Sequence, residues 1–174
     1  ELQSTSDTEV LLYLLIQEGK QALALLNGFF SLTFYDKEAD YLLIARDRFG
    51  IKPLLYYQDE EKLLFGSEMK ALLEFSVSKR IDQESLYWYL KLNYLPKDRS
   101  MLLGFKKLLP GCYLEIKQNE VHRDTYFTLS KEERITTSYQ DAQKHLIDLL
   151  DQSVEKRMIS DVPLGSFLSG GTDS

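Results

Sequence analysis

The chain has 174 residues and carries 21 Lys and Arg against 27 Asp and Glu, a formal net charge of -6. That sign argues against nucleic acid or an anionic membrane as partner, because both need a basic face, while the length suits one domain and the start of a second. A single cysteine, Cys112, excludes an internal disulfide framework and suits a reducing cytoplasm.

Taken in chain order, Ser6-Asp7-Thr8-Glu9 precedes Val10, Leu11, Leu14 and Leu15, which share one helical face. This predicts a helix capped by Ser6 and stopped at Gly19. A second short helix is expected over residues 21–26, ending near Asn27-Gly28. The period then changes. Aromatic and aliphatic runs at 29–35 and 41–45 flank a polar stretch, as do those at 54–57 and 62–65, and each pair reads as a β-hairpin. Short helices follow at 67–73 and from Asp82 to about residue 92, with Tyr87, Trp88 and Tyr89 expected to pack on a sheet. Pro110-Gly111 is a turn, and 112–117 with 121–127 forms a further hairpin through Gln118-Asn119-Glu120.

Hairpins without crossover helices predict antiparallel sheet with helices packed on it, an α+β class. Residues 128–137 turn polar and charged and read as an interdomain linker. Beyond it, Thr137-Ser138-Tyr139-Gln140 has capping-box form, and Ala142, Leu146, Leu149, Leu150 and Val154 lie on one stripe. The apolar run 162–168 is expected as a strand feeding Ser169-Gly170-Gly171-Thr172-Asp173-Ser174. Helix, apolar strand and Gly-rich turn is how a parallel α/β nucleotide domain opens.

Gly170 and Gly171 lack Cβ atoms, so their backbone can approach a phosphate, and Ser169 and Ser174 offer hydroxyls. Asp173 would be useful there as a ligand for Mg²⁺ bridging phosphates. Asp7 has two readings: a helix-cap aid, or a carboxylate placed to pair with an ammonium group. Arg46-Asp47-Arg48, with charges packed at a strand end beside Gly50 and Pro53, invites a catalytic reading. Cys112 reads as core packing, and His122 and His145 as isolated side chains without metal spacing.

Six stretches in one order carry a specific resemblance: Ser6 to Val10, Leu26 to Leu32, Ala45 to Tyr56, Gly66 to Leu72, Leu108 to Gly111, and Ser160 to Gly165 leading into the terminal loop. Together they resemble the glutamine-hydrolysing asparagine synthetases, in which a class II glutamine amidotransferase domain precedes an ATP-pyrophosphatase synthetase domain. The resemblance implies the end of an N-terminal-nucleophile sandwich (αββα, antiparallel sheets) over 1–127, a linker over 128–137, and the first helix and strand of the synthetase domain over 138–174. It implies Asp7 as a glutamine ligand, a structural corner at Arg46, Asp47 and Arg48 in place of a catalytic role, an ATP site at Leu168, Ser169, Gly170, Gly171, Asp173 and Ser174, and Mg²⁺ at Asp173. The nucleophilic cysteine of such enzymes would lie upstream of Glu1, so no catalytic residue is expected in this chain, which is read as an internal and inactive piece of a cytoplasmic ligase. Its partners would be glutamine, aspartate and ATP, with a homodimer allowed. Two alternatives stay open: a β-lactam synthetase-like enzyme of the same architecture, and a non-catalytic module.

Overall fold

The computed structural model describes residues 2–129 and 136–171. They fall into two units, one ending at Leu129 and one beyond it.

The first unit opens with α1 (Asp7–Glu18), where the Ser6 side chain accepts from the Thr8 N–H and Gly19, at φ 56°, ends the helix. A 3₁₀ turn (Gly19–Gln21) leads into α2 (Ala22–Leu25). The strands are β1 (Ser31–Asp36), β2 (Tyr41–Arg46), β3 (Leu55–Gln58) and β4 (Leu63–Gly66). Both predicted hairpins form. Asp36 and Asp59 begin their loops, each accepting two N–H groups two and three residues ahead, which is the Asx geometry that turns a chain locally.

Two helices follow, α3 (Met69–Leu72) and α4 (Gln83–Leu92, capped by Asp82), then β5 (Phe105–Lys107), β6 (Cys112–Lys117) and β7 (Glu120–Thr125). Strand β5 has no sequence signal, because only three residues with two lysines cannot show a period. The last hairpin is tighter than expected: Gln118 and Asn119 both take positive φ, so Glu120 leaves the loop and pairs with Lys117. A two-residue turn with both centres left-handed matches the strand twist.

All strand pairings are antiparallel, in a four-stranded sheet β1-β2-β6-β7 and a three-stranded sheet β4-β3-β5. The α+β class holds. Strand β2 decides the layering, since Leu43 and Ala45 join Leu15, Ala22, Leu23 and Leu32 on one face while Ile44 joins Leu54, Tyr56, Leu108 and Leu114 on the other. Helices α1 and α2 therefore cover one face of the larger sheet, and the smaller sheet packs on its other face. At the edge, β7 carries Glu120, His122, Arg123 and Asp124 outward, which blunts pairing with a further strand.

One expectation fails in this unit. Helix α4 buries only Ser85, and Tyr87 and Tyr89 are exposed. Those rings instead serve local contacts: Tyr87 meets Trp88 edge-on at 5.4 Å, and the Lys91 ammonium lies over both.

In the second unit, α5 (Tyr139–Arg157) is capped by Ser138, not Thr137, and the reciprocal partner is Asp141, not Gln140. Its apolar stripe is exposed. Residues 162–168 form no strand. An apolar run becomes a strand only when a neighbour takes up its N–H and C=O groups, and among the described residues none does. The linker reading falls largely on residues outside the described ones. No described helix is long and apolar enough to cross a membrane.

Candidate functional site

The turn from α1 back through α2 closes a cleft of about 380 Å³, lined by Asp7, Thr8, Leu11, Leu14, Asn27 and Phe29 among others. Its walls are apolar, and Asp7 stands on them at the first turn of α1. Ser6 supplies the side-chain cap, and Asp7 adds an acid to the first turn of the helix. Among the described residues the Thr8 hydroxyl donates to that carboxylate at 3.4 Å, a long contact.

The neighbouring acid is used differently. Glu9 accepts from the N–H groups of Gln3 and Ser4 at 2.8 and 2.6 Å and from the Ser4 hydroxyl at 2.6 Å. Those bonds, the Ser4 hydroxyl foremost, hold its carboxyl below the ordinary range. Of two acids in one helical turn, Glu9 accepts three bonds from the preceding chain, while Asp7 lines the cleft. An apolar cleft with one carboxylate suits a ligand that brings an ammonium group.

The floor of the cleft is braced by the corner after β2. Asp47 is 1% exposed, and its carboxylate accepts from the N–H groups of Phe49, Ile51 and Lys52 at 3.1, 3.0 and 2.9 Å. Its own N–H donates to the carbonyl of Phe30, a cleft residue. Arg46 donates to the carbonyls of Gly50, Lys52 and Leu108, and Arg48 to that of Ala24 in α2. The Tyr126 hydroxyl donates to the Arg46 carbonyl, and burial pushes its pKa up to about 12. Arg46 and Asp47 are thus spent on backbone, and the Arg48 guanidinium also lies over the Phe127 ring at 5.1 Å, so the corner braces the fold.

Cys112 is buried, 3.3 Å from the Thr125 hydroxyl, within the core between the sheets. His122 lies at the exposed edge, 3.3 Å from Glu120, and His145 lies on α5. In the terminal loop Leu168 is exposed, and the Gly171 N–H donates to the Ser169 hydroxyl at 3.4 Å across Gly170. Asp173 and Ser174 lie outside the described residues, as does Thr172. Among the described residues no group of three or more His, Cys, Asp or Glu side chains is arranged to hold a metal.

Sequence reasoning assigned no role to Thr8, Asn27 or Phe29. The Asn27-Gly28 turn before an aromatic run was their visible signal, but its meeting with Asp7 depends on how α1 and α2 pack.

Comparison with known proteins adds the lineage. Residues 1–127 match the model of the glutamine amidotransferase domain, and residues 145–174 match that of asparagine synthase. Asparagine synthetase [glutamine-hydrolyzing] 1 of Bacillus subtilis is 36% identical over 97% of this chain and 27% of its own length. Asparagine synthetase [glutamine-hydrolyzing] 3 of the same organism is 32% identical over 100% and 28%. Amidase chyE of Penicillium rubens is 30% identical over 98% and 25%. The chain thus spans about a quarter of the length of these relatives. With most of its residues matching that one domain, followed by a match to asparagine synthase, the chain belongs to the glutamine amidotransferase family, in the form found in glutamine-hydrolysing asparagine synthetases.

Proposed function

We propose that this chain is part of a glutamine-dependent asparagine synthetase, with residues 1–127 the end of an N-terminal-nucleophile glutaminase domain, 128–137 a linker and 138–174 the start of an ATP-pyrophosphatase domain. The reaction is ATP, L-aspartate, L-glutamine and water to AMP, diphosphate, L-asparagine and L-glutamate. The observation that carries the reading is the exposed Asp7 carboxylate at an apolar cleft, with the side-chain cap of its helix supplied by Ser6.

Asp7 would pair with the α-ammonium group of glutamine. Binding there is favourable because a carboxylate and an ammonium group form a charge-assisted hydrogen bond, and the apolar wall beside it takes up the methylene groups of the ligand. The side-chain carboxamide is then held for attack by a thiolate supplied from elsewhere in the full-length protein. At the second site the aspartate β-carboxylate must be activated before ammonia can displace anything from it, since a carboxylate is a poor electrophile. Adenylation by ATP supplies that activation. Leu168, Ser169, Gly170, Gly171, Asp173 and Ser174 would hold ATP, with Gly170 and Gly171 letting the backbone reach its phosphates. Asp173 would hold Mg²⁺, which neutralises phosphate charge when bound. By itself this chain is expected to hydrolyse no glutamine and form no AMP. The synthetase would act in the cytoplasm, with a homodimer allowed.

The test uses the full-length protein. Replacing Asp7 by Asn should raise the KM for glutamine by roughly 10²-fold, while synthesis from added ammonia is unchanged. An unchanged glutamine KM removes the proposed site. The second reading is an amide- or lactam-forming enzyme of the same architecture with another acceptor. Asparagine as the product from aspartate excludes it.

A further inference from the structure

An ordinary capping box ties the third helical residue back to the N–H of the cap, and so fixes the cap alone. Here the third residue of α1, Glu9, reaches past the Ser6 cap. Its Oε1 accepts from the Gln3 N–H and its Oε2 from both the N–H and the hydroxyl of Ser4. The relay then returns: the Ser6 N–H donates to the Ser4 hydroxyl oxygen at 3.2 Å, and the Thr8 N–H donates to Ser6 Oγ at 3.2 Å. Residues 3–9 are closed into a loop of side-chain bonds, and Asp7 is the polar residue inside it whose carboxylate takes part in none of them.

We propose that Glu9 is a positioning residue for the glutamine site, holding the approach to α1 so that the Asp7 carboxylate keeps its place at the cleft. The inference rests on the reading of Asp7 as the ammonium ligand. Three acceptor bonds converge on one side chain, so removing it releases two backbone N–H groups and the Ser4 hydroxyl together. Ser4 then loses the partner that orients it toward Ser6, and the first turn of α1 samples more directions. A ligand carboxylate that wanders loses binding in ground state and transition state alike, which raises KM and spares kcat.

The experiment measures glutamine-dependent and ammonia-dependent synthesis by the full-length protein and its Glu9→Ala, Glu9→Gln, Ser4→Ala and Asp7→Asn variants. Expected for Glu9→Ala is a rise in glutamine KM of about tenfold at unchanged kcat, with ammonia-dependent turnover intact. Glu9→Gln keeps an acceptor and should recover part of the loss, and Ser4→Ala should show a smaller rise in the same direction. If Asp7→Asn raises the KM and Glu9→Ala does not, the positioning role is wrong and the site stands. If Asp7→Asn changes nothing, the site and the positioning role fall together. Equal losses with glutamine and with ammonia in Glu9→Ala mean general damage to the fold, which also overturns the proposal.

Discussion

Gly50 and Arg46 are locked to each other across the corner after β2: the Arg46 guanidinium donates to the Gly50 carbonyl at 2.6 Å, and a Cβ on Gly50 would come within 3.0 Å of Arg46 Cζ. The same Cβ would meet Pro110 Cγ at 2.8 Å, and Gly50 has φ 66°. Gly50→Ala should therefore destabilise the fold by about 2–3 kcal/mol, from left-handed strain plus displaced neighbours. Gly28 has neither a positive φ nor any atom within 4 Å of such a Cβ, so Gly28→Ala should lie within about 0.5 kcal/mol of the parent. Urea midpoints of the two variants check the contrast.

Asp47 predicts a graded response. Ala at this position leaves three partly buried backbone N–H groups without their acceptor and should cost about 2–3 kcal/mol. Asn keeps one acceptor oxygen for Phe49 and Ile51 but opposes its amide to the Lys52 N–H, for a cost of about 1–2 kcal/mol. Equal losses in the two variants would argue against the carboxylate as the organiser of the corner.

The pair Lys20–Glu115, at 2.8 Å, joins the turn after α1 to β6. The lysine's hydrogen bond holds the Glu115 carboxyl below its ordinary range, and the same bond raises the Lys20 pKa. A depressed carboxyl stabilises above its unfolded pKa, near 4.3, and that gain is lost as pH falls through the lower folded value; a raised lysine stabilises below about 10.4 and loses the gain as pH rises through the folded value. Both ends are partly solvated, so Glu115→Gln should cost less than about 1 kcal/mol at pH 7. The difference from the parent should close in acid. Urea titrations at pH 7 and pH 3 measure it.

Cys112 should behave as a core residue. Its thiol should resist alkylation in the folded chain and react freely in urea. Cys112→Ala should cost about 1–2 kcal/mol in stability, and glutamine hydrolysis by the full-length protein should not change. Loss of hydrolysis with retained folding would make it a nucleophile after all.

The elements of the first unit were largely legible because their signals are local. Ser6 and Asp82 cap where a hydroxyl or carboxylate precedes a helical run, Gly19 ends α1 by taking φ 56°, and Asp36 and Asp59 bend their own loops. Where reading failed, the deciding partner was distant or missing. β5 is a strand because β3 offers it a ladder, residues 162–168 are not one because among the described residues nothing does, and α4 carries apolar rings that its own sequence could not send inward or outward.

The sequence by itself determined the α+β class, the hairpins, the family and Asp7 as a candidate ligand, since caps, turns and motifs act within a few residues. Only the tertiary structure decided that β2 pairs with β6, that Asp7 meets the Asn27 to Phe30 segment in one cleft, and that the corner at Asp47 braces that cleft through Phe30. Those contacts join residues far apart in the chain, and which of many apolar faces pack together is settled by mutual burial, a property of the whole fold that no local pattern records.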